Sequence, residues 1–389
     1  MSWPMVSFLS VCDFQGGTQP PKSTFINTAQ DGYIRLLQIQ DFKRSDKKVF
    51  IPLKKTLKTC LEDDILIARY GASIGKILSG LSGAYNVALT KTIPDLSMLD
   101  KKYLYYFLVS EKFQGFLKSV GTRAAQAGFN KDDFANLQIP LPPLETQKQI
   151  AAVLEKADQL RKDCQQMEQE LNSLAQSVFI DMFGDPVTNP KGWDVRSFKE
   201  FIVNLRNGIS PSKGGQLDFK VLTLSAITRG RYNDEFCKVG SFNSEPDNTK
   251  KVTQNDFLIC RGNGNKKLVG RGVYPTQSRD DLVFPDTVIA ATLNLECLDI
   301  RYFNTLWSSD LMREHIEGGA RTTNGTFKIN QKVINDAPVL CPPVELQKEF
   351  GKVIENVNVL IEQNQMQLKE LDKNFNALMQ KAFKGELTL

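Results

Sequence analysis

Little in this sequence is equipped to make or break bonds. There is one histidine, His315, whereas hydrolases and zinc enzymes built on imidazole draw on several, as ligand, base and orienter. Gly71-Ala72-Ser73-Ile74-Gly75-Lys76 falls one residue short of a phosphate loop, and Ile77 stands where the magnesium-binding Ser/Thr belongs. Gly262-Asn263-Gly264 lacks the third glycine of a dinucleotide fingerprint. Pro142-Pro143 and Pro342-Pro343 lack the Asp/Asn before and the aromatic after that an adenine-methyltransferase motif requires. They read as prolines that open helices. The seven cysteines (Cys12, Cys60, Cys164, Cys237, Cys260, Cys297, Cys341) never form a C-x-x-C pair. That usage points to reduced thiols in a cytoplasm, away from zinc ribbons and disulfide scaffolds. No catalytic residue, metal ligand or cofactor is assigned to this chain.

What recurs instead is binding chemistry. Polar, basic, glycine-flanked loops fall in matched pairs along the chain. Arg69, Tyr70 and Ser73 correspond to Arg261, Asn263, Asn265 and Lys267, and Lys76 and Arg271 are further candidates for DNA contact. Arg123 and Gln126 correspond to Arg321, Thr322 and Asn324. Lys43 and Arg44, at the end of Gln38-Ile39-Gln40-Asp41-Phe42, correspond to Arg229 and Arg231. Arg and Lys match the edge of guanine, Asn and Gln that of adenine. Glycine lets backbone approach a phosphate. As a duplicated set these loops point to DNA; for each residue singly, a solvated loop is the alternative. Lys101-Lys102 and Lys250-Lys251 read as solvated charge.

The elements that must carry these loops also come twice. Pro142-Pro143-Leu144-Glu145-Thr146-Gln147-Lys148 returns 200 residues later as Pro342-Pro343-Val344-Glu345-Leu346-Gln347-Lys348. Asp64-Ile65-Leu66-Ile67-Ala68-Arg69 returns as Asp256-Phe257-Leu258-Ile259-Cys260-Arg261. Gly121-Thr122-Arg123 and Phe129 return as Gly319-Ala320-Arg321 and Phe327. Met182-Phe183-Gly184-Asp185 returns as Ala382-Phe383-Lys384-Gly385-Glu386, and two copies of one module explain four blocks in the same order. After each Pro-Pro comes a long helical pattern, the first running about forty residues to Gly184, roughly 55–60 Å of rod. Ile150, Val153, Ala157, Leu160, Cys164, Met167, Leu171, Leu174 and Val178 step by three and four, the seam of a coiled coil. In the second copy Phe350, Val353, Val357 and Leu360 keep that seam. Asn364, Gln367 and Asn374 then turn it polar, with Ile354, Ile361, Leu368 and Phe375 as a neighbouring stripe. Two arrangements stand: the rods pair antiparallel about a pseudo-two-fold axis, or each caps its own lobe. The lobes read as mixed α and β. Strands are expected near residues 65–67, 221–224 and 257–259. Helices are expected over 101–120, with Tyr103, Phe107, Phe113, Phe116 and Leu117 inward, and over 300–316.

The chain has 389 residues, enough for two domains or three. No apolar run approaches the ~18 residues of a membrane span, and the first residues lack the basic region of a signal peptide. A protein with no membrane segment, in the cytoplasm, is expected. The net charge is only +5, but it is unevenly placed. Residues 145–183 and 345–386 hold 10 of the 49 basic and 14 of the 44 acidic side chains. The rest keeps 39 and 30, net +9. Basic lobes suit a polyanion, and mildly acidic amphipathic rods suit protein.

This order of variable lobe, Pro-Leu-Pro-Pro-Leu-Glu-Thr-Gln-Lys-Gln-Ile-Ala and long helix, second lobe, and Pro-Pro-Val-Glu-Leu-Gln-Lys helix resembles the specificity subunit of type I restriction-modification enzymes. Phe183-Gly184-Asp185-Pro186 with Lys191-Gly192-Trp193 resembles that family's crossing into its second recognition domain, and Asn207-Gly208-Ile209-Ser210-Pro211-Ser212 the start of one. The resemblance covers essentially the whole chain. It implies an α+β fold: target recognition domains at 1–141 and 185–341, separated by antiparallel coiled-coil spacer helices at 142–184 and 342–389. It implies a non-catalytic reader of double-stranded DNA, each lobe taking half of an asymmetric two-part site, with the helices setting the gap. Two adenine-N6 methyltransferase subunits and restriction-translocase subunits would join it, bringing S-adenosylmethionine, ATP and Mg. Ile150, Leu160, Leu171, Val353, Leu360 and Leu371 are the rod residues expected to meet partners. The alternatives are the specificity component of a related stand-alone methyltransferase or fused restriction system, or a scaffold that binds no DNA.

Overall fold

A computed structural model describes residues 3–43, 47–121, 128–323 and 325–388. It divides into two compact units: Met1–Gln165 with Met366–Leu389, and Gln166–Gln365. Both divisions fall inside the long helices, Leu144–Phe183 and Val344–Lys384. Each unit is therefore one lobe plus half of each rod.

The lobes share one plan. In the first unit a four-stranded antiparallel sheet runs Cys12–Gly16, Leu89–Pro94, Leu66–Ala68, Ile77–Leu78. A second runs Phe50–Pro52, Tyr33–Leu37, Gly83–Tyr85, Thr59–Cys60, with one parallel pairing, Leu36 opposite Ala84. In the second unit the same positions are taken by Ile202–Asn207, Val288–Leu293, Asp256–Cys260, Gly272–Val273, and by Cys237–Phe242, Leu217–Leu222, Arg279–Val283, Lys251–Val252. The parallel pairing returns as Val221 opposite Val283. Strand Asp256–Cys260 is buried throughout, hence its unbroken apolar run. The repeated aspartate at its start is structural. Asp256 accepts from Thr253 N (3.0 Å) and Thr292 Oγ1 (2.8 Å) and pairs with Arg206. Asp64 accepts from Leu61 N (3.0 Å) and pairs with Lys91 and Lys101.

The single helix expected over 101–120 is two, Lys101–Val109 and Glu111–Gly121. Ser110 breaks it: its hydroxyl donates to Phe107 O (2.6 Å) and accepts from Phe113 N (3.4 Å), capping the next helix. The 300–316 pattern likewise splits into Ile300–Trp307 and Asp310–Gly319. These helices build the cores. Phe8, Tyr103, Phe107, Phe113 and Phe134 join Ile150 and Leu154 of one rod and Phe375, Met379 and Ala382 of the other. In the second unit Phe198, Phe257, Phe303 and Trp307 join Phe179, Phe183, Phe350 and Ile354. Rods thus cap lobes and also pair antiparallel within each unit. Arg161 Nε donates to Asp372 (2.6 Å) in the first, and Gln365 donates to Glu168 (2.7 Å) in the second.

The rod seam differs from the one read in the sequence. Inward positions are 150, 154, 157, 161, 164, 168, 171, 175 and 178, and the second rod repeats them 200 residues on. Val153 (37% exposed), Leu160 (46%), Met167 (53%) and Leu174 (49%) face outward. So do Val353, Leu360, Gln367 and Asn374, while Asn364 is buried in the seam. The stripe Ile354, Ile361, Leu368, Phe375 is the true inner face.

Candidate nucleic-acid interface

In the first lobe, strand Leu66–Ala68 delivers the chain to the surface at Arg69. Arg69 N donates to Ala88 O (2.8 Å) and its Nε to Phe129 O (2.6 Å), with the guanidinium 5.1 Å from the Tyr70 ring centre. Tyr70 is 42% exposed and its backbone bridges to Gly128. A tight turn, Gly71–Ser73, follows, closed by Gly75 at φ +80°. Because strands Tyr33–Leu37 and Gly83–Tyr85 run parallel, both end beside this turn, and Asn86 N donates to Leu37 O (3.1 Å). The result is an open concavity of about 350 Å³ lined by Gln38, Gln40, Lys43, Tyr70, Ser73 and Asn86. The Asn86 carbonyl accepts from Ala88 N (3.2 Å), which leaves its NH₂ as a donor toward that space. Lys43 and Lys76 stand side by side, and the Lys43 ammonium holds that of Lys76 below its ordinary pKa. Two adjacent cations in water suit a phosphate.

In the second lobe the equivalent loop is pinned in the same way. Arg261 N donates to Thr287 O (2.8 Å), Ile329 N donates to Arg261 O (2.9 Å), and Gly270, at φ +71°, donates to Cys260 O (2.8 Å). Gly262–Asn263, Thr326–Lys328 and Arg321–Thr323 form a three-stranded sheet with Arg321 opposite Lys328 and Asn263 opposite Phe327. Two loops read separately in the sequence thus form one surface. Asn263 Oδ1 accepts from Asn265 N (2.9 Å) with its amide also against the buried Cys260 thiol, and Asn265 Oδ1 accepts from Lys267 N (3.0 Å), which leaves the NH₂ of the exposed Asn265 as a donor. Arg271 Nε donates to Lys267 O (3.3 Å). One acid sits nearby: Arg313, with Lys266 and Lys267, holds Glu317 below the usual carboxylate range.

Residues 2–173 match the family described as the type I restriction modification DNA specificity domain. The EcoKI specificity subunit of Escherichia coli K12, a type I restriction enzyme, is 24% identical over 99% of this chain and 89% of its own length. The MjaVIII specificity subunit of Methanocaldococcus jannaschii is 22% identical over 99% and 93%. Among solved structures, the type I restriction-modification S subunit from M. genitalium superposes with a TM-score of 0.57 at 16% identity, covering 98% and 96% of the two chains. Residues 2–173 thus carry that DNA specificity domain, and the chain is similar along its whole length to specificity subunits of type I restriction enzymes. A structure of the assembly and conformational transition of a type I R-M system holds a chain of the same fold, with a TM-score of 0.54 at 17% identity and coverage of 99% and 98%.

The residues singled out from sequence fall into several groups. Lys43, Tyr70 and Ser73 share the first concavity, with Lys76 beside Lys43. Arg261, Asn263, Asn265, Lys267, Arg321 and Thr322 lie on or beside the small sheet. Arg229 is exposed and stacks 4.3 Å from the Phe236 ring centre. Arg231 turns to the rods instead: its guanidinium donates to Asn172 (3.3 Å), near Glu168 and Glu362, and burial lowers its pKa. Arg69 is largely engaged in holding residue 129. Arg44, Arg123, Gln126 and Asn324 lie outside the described residues. On the rods, Ile150 is fully buried in its own unit and cannot face a partner; Leu171 and Leu371 are in the seam. Leu160, Val353 and Leu360 are exposed. Sequence reasoning missed Asn86 and Lys328. Nothing local marks Asn86; the alternation Thr326-Phe327-Lys328 opposite Arg321 could have found Lys328. His315 is structural, its Nε2 2.8 Å from Val333 O. Among the described residues no helix is long and apolar enough to cross a membrane, and no cluster of acids, His and Cys could hold a metal ion.

Proposed function

We propose that this chain is the DNA-reading, non-catalytic subunit of a type I restriction-modification complex, each lobe taking one half of a bipartite asymmetric site. The observation that supports this most directly is the duplication. One fold is built twice, and beside the loop that follows the central strand each copy gathers amide donors and lysines: Asn86, Lys43 and Lys76 in the first, Asn265 and Lys267 in the second. Affinity comes from phosphate contacts of the basic lobes, Lys43 and Lys76 among them, and specificity from base-edge contacts. The candidates for base contact are Asn86 and Gln40 in the first lobe and Arg261, Asn265 and Arg321 in the second. Asn86, whose side-chain carbonyl already accepts from Ala88 N, has both NH₂ protons to offer and so suits an acceptor such as guanine O6/N7 or thymine O4. The rods set the gap between half-sites. Two adenine-N6 methyltransferase subunits dock on rods and lobes, outward side chains such as Leu160, Val353 and Leu360 being available to them. Those subunits flip the target adenine and carry S-adenosylmethionine; restriction-translocase subunits bring ATP and Mg.

Co-expression with methyltransferase subunits from the same locus, followed by methylome sequencing, tests the reading. A single bipartite adenine-methylated motif is expected. Replacing residues 185–341 with the matching segment of another family member should change one half of the motif only. Methylation without a bipartite motif, or a swap that alters both halves, would refute the assignment of one half to each lobe.

A further inference from the structure

The repeated Pro-Pro-x-Glu-x-Gln-Lys segment holds one polar side chain that its helix does not need. Gln147 is fully buried at the start of the first rod and Gln347 nearly so at the start of the second. Gln147 Nε2 donates to Pro142 O (2.9 Å) and Met98 O (2.8 Å), and its Oε1 accepts from Asp100 N (2.9 Å). Gln347 Nε2 donates to Pro342 O (2.8 Å) and its Oε1 accepts from Asp299 N (3.0 Å). Asp100 and Asp299 are the residues that cap helices Lys101–Val109 and Ile300–Trp307, accepting from Tyr103 N and from Arg301 N and Tyr302 N. One amide therefore ties three things together: the proline turn, the first rod turn, and the cap of the lobe's central helix. Tyr103 and Tyr302 brace the same joint from beneath, their hydroxyls donating to Pro140 O (2.8 Å) and Leu340 O (3.0 Å).

The opposite rod is fixed by a tryptophan. Trp3 Nε1 donates to Ala382 O and Trp193 Nε1 to Phe183 O, both at 2.8 Å and both in the last rod turn. Each unit thus grips the start of one rod by a glutamine and the end of the other by an indole. A buried apolar side chain of similar size would fill the glutamine site without these bonds. An amide retained in both copies, with every partner on a different element, acts on geometry as well as on stability.

We infer that Gln147 and Gln347 are positioning residues that stiffen the angle at which each lobe meets its rods, and so set how strictly the complex rejects a site with the wrong gap. The inference rests on the function proposed above. A duplex with one base pair added or removed between half-sites can be accepted only by flexing these joints, and a looser joint lowers the cost.

The test uses the full chain assembled with its methyltransferase subunits. Methylation rates are measured on duplexes with the native gap and with one base pair inserted or deleted, for wild type, Gln147→Met and Gln347→Met. Each variant should keep its half-site sequences while discrimination against altered gaps falls by roughly tenfold. Amide exchange should quicken at Asp100 or Asp299 with the lobe strands still protected. Unchanged discrimination in both variants overturns the assignment, as does a rate lost equally at all gaps or a loss of strand protection, which would make the glutamines fold residues only. A wild-type complex without gap preference sinks the underlying reading, and this inference with it.

Discussion

The paired lysines of the first lobe allow the DNA-binding surface to be tested by number rather than by presence or absence. Lys43 and Lys76 are exposed and carry no ion pair to a carboxylate among the described residues, and the Lys43 ammonium holds the pKa of Lys76 below its ordinary value. Two like charges held together in water are unfavourable until a counter-charge arrives. Each phosphate neutralised on duplex DNA contributes about −0.9 to the slope of log K against log salt. If each lysine takes one phosphate, Lys43→Ala with Lys76→Ala lowers the magnitude of that slope by about 1.8. Between 50 and 200 mM salt, the affinity of the wild-type complex should then fall about tenfold further than that of the variant. The assay is equilibrium binding of the assembled complex to a duplex bearing its own site, titrated with salt, with methylome sequencing as control. The recognised bases should not change, because neither lysine is assigned to a base edge. Parallel salt plots for the two complexes would show that this pair lies off the DNA path and would remove the first concavity from the interface.

Removing the fully buried Asp256 (Asp256→Ala) strands Arg206 and Thr253 N, and should cost about 3–5 kcal/mol in thermal unfolding. Asp64→Ala, whose lysines reach solvent, should cost less; the reverse order would contradict the burial argument. Burial opposes ionisation of Asp64, but Leu61 N, Lys101 and Lys91 outweigh it and its pKa is lowered. Its contribution is therefore complete above the unfolded carboxylate value, about 3.9, and lost as pH falls through the folded one. The stability gap between wild type and Asp64→Asn should close in acid and persist at pH 7. With a thiol reagent at pH 8 the exposed Cys297 should react first, whereas burial pushes Cys12 up to about 12 and Cys60 and Cys260 up to about 11 and keeps them silent; early labelling of Cys12 by mass spectrometry would contradict this. Arg261→Ala should cost about 1–3 kcal/mol of specific binding and relax one position of one half-site. Arg231→Ala, which cuts a tie to Asn172, should leave the methylated motif intact, and an altered motif would return Arg231 to the interface.

The lobes were legible as a duplication because building one fold twice repeats its obligatory residues. Asp64 and Asp256 open the central strand, and Gln147 and Gln347 tie down the rods. The Lys191-Gly192-Trp193 crossing is likewise structural: Lys191 Nζ donates to Asp181 O and Met182 O, and Trp193 to Phe183 O, closing the end of the rod. What sequence did not reveal was which loops meet. Gln38 and Asn86 become neighbours only through a parallel strand pairing, and no local pattern announces a parallel partner. The same holds for Arg321 and Lys328, brought together across a sheet of three short strands.

The rods show why one periodicity cannot fix a seam. Along the first rod alone, the 150/153/157/160 series is the more apolar choice, since the alternative puts Arg161 and Glu168 inside. The second rod has the opposite preference: Ile354, Ile361, Leu368 and Phe375 must be covered, whereas Gln367 and Asn374 need water. Both rods make the same turn onto the same lobe fold, through equivalent glutamines, so they are bound to present the same face. The second rod decides for both. The first accommodates its polar residues by pairing them across the seam. The Arg161 guanidinium lies 4.5 Å from the Phe375 ring centre with its Nε on Asp372, and Glu168 accepts from Gln365. A half-buried cation with a carboxylate and an aromatic face is tolerable where an unpaired one is not. The outward turn of Leu160 and Met167 is then a consequence of the joint at residue 147, not of any weakness in the heptad pattern.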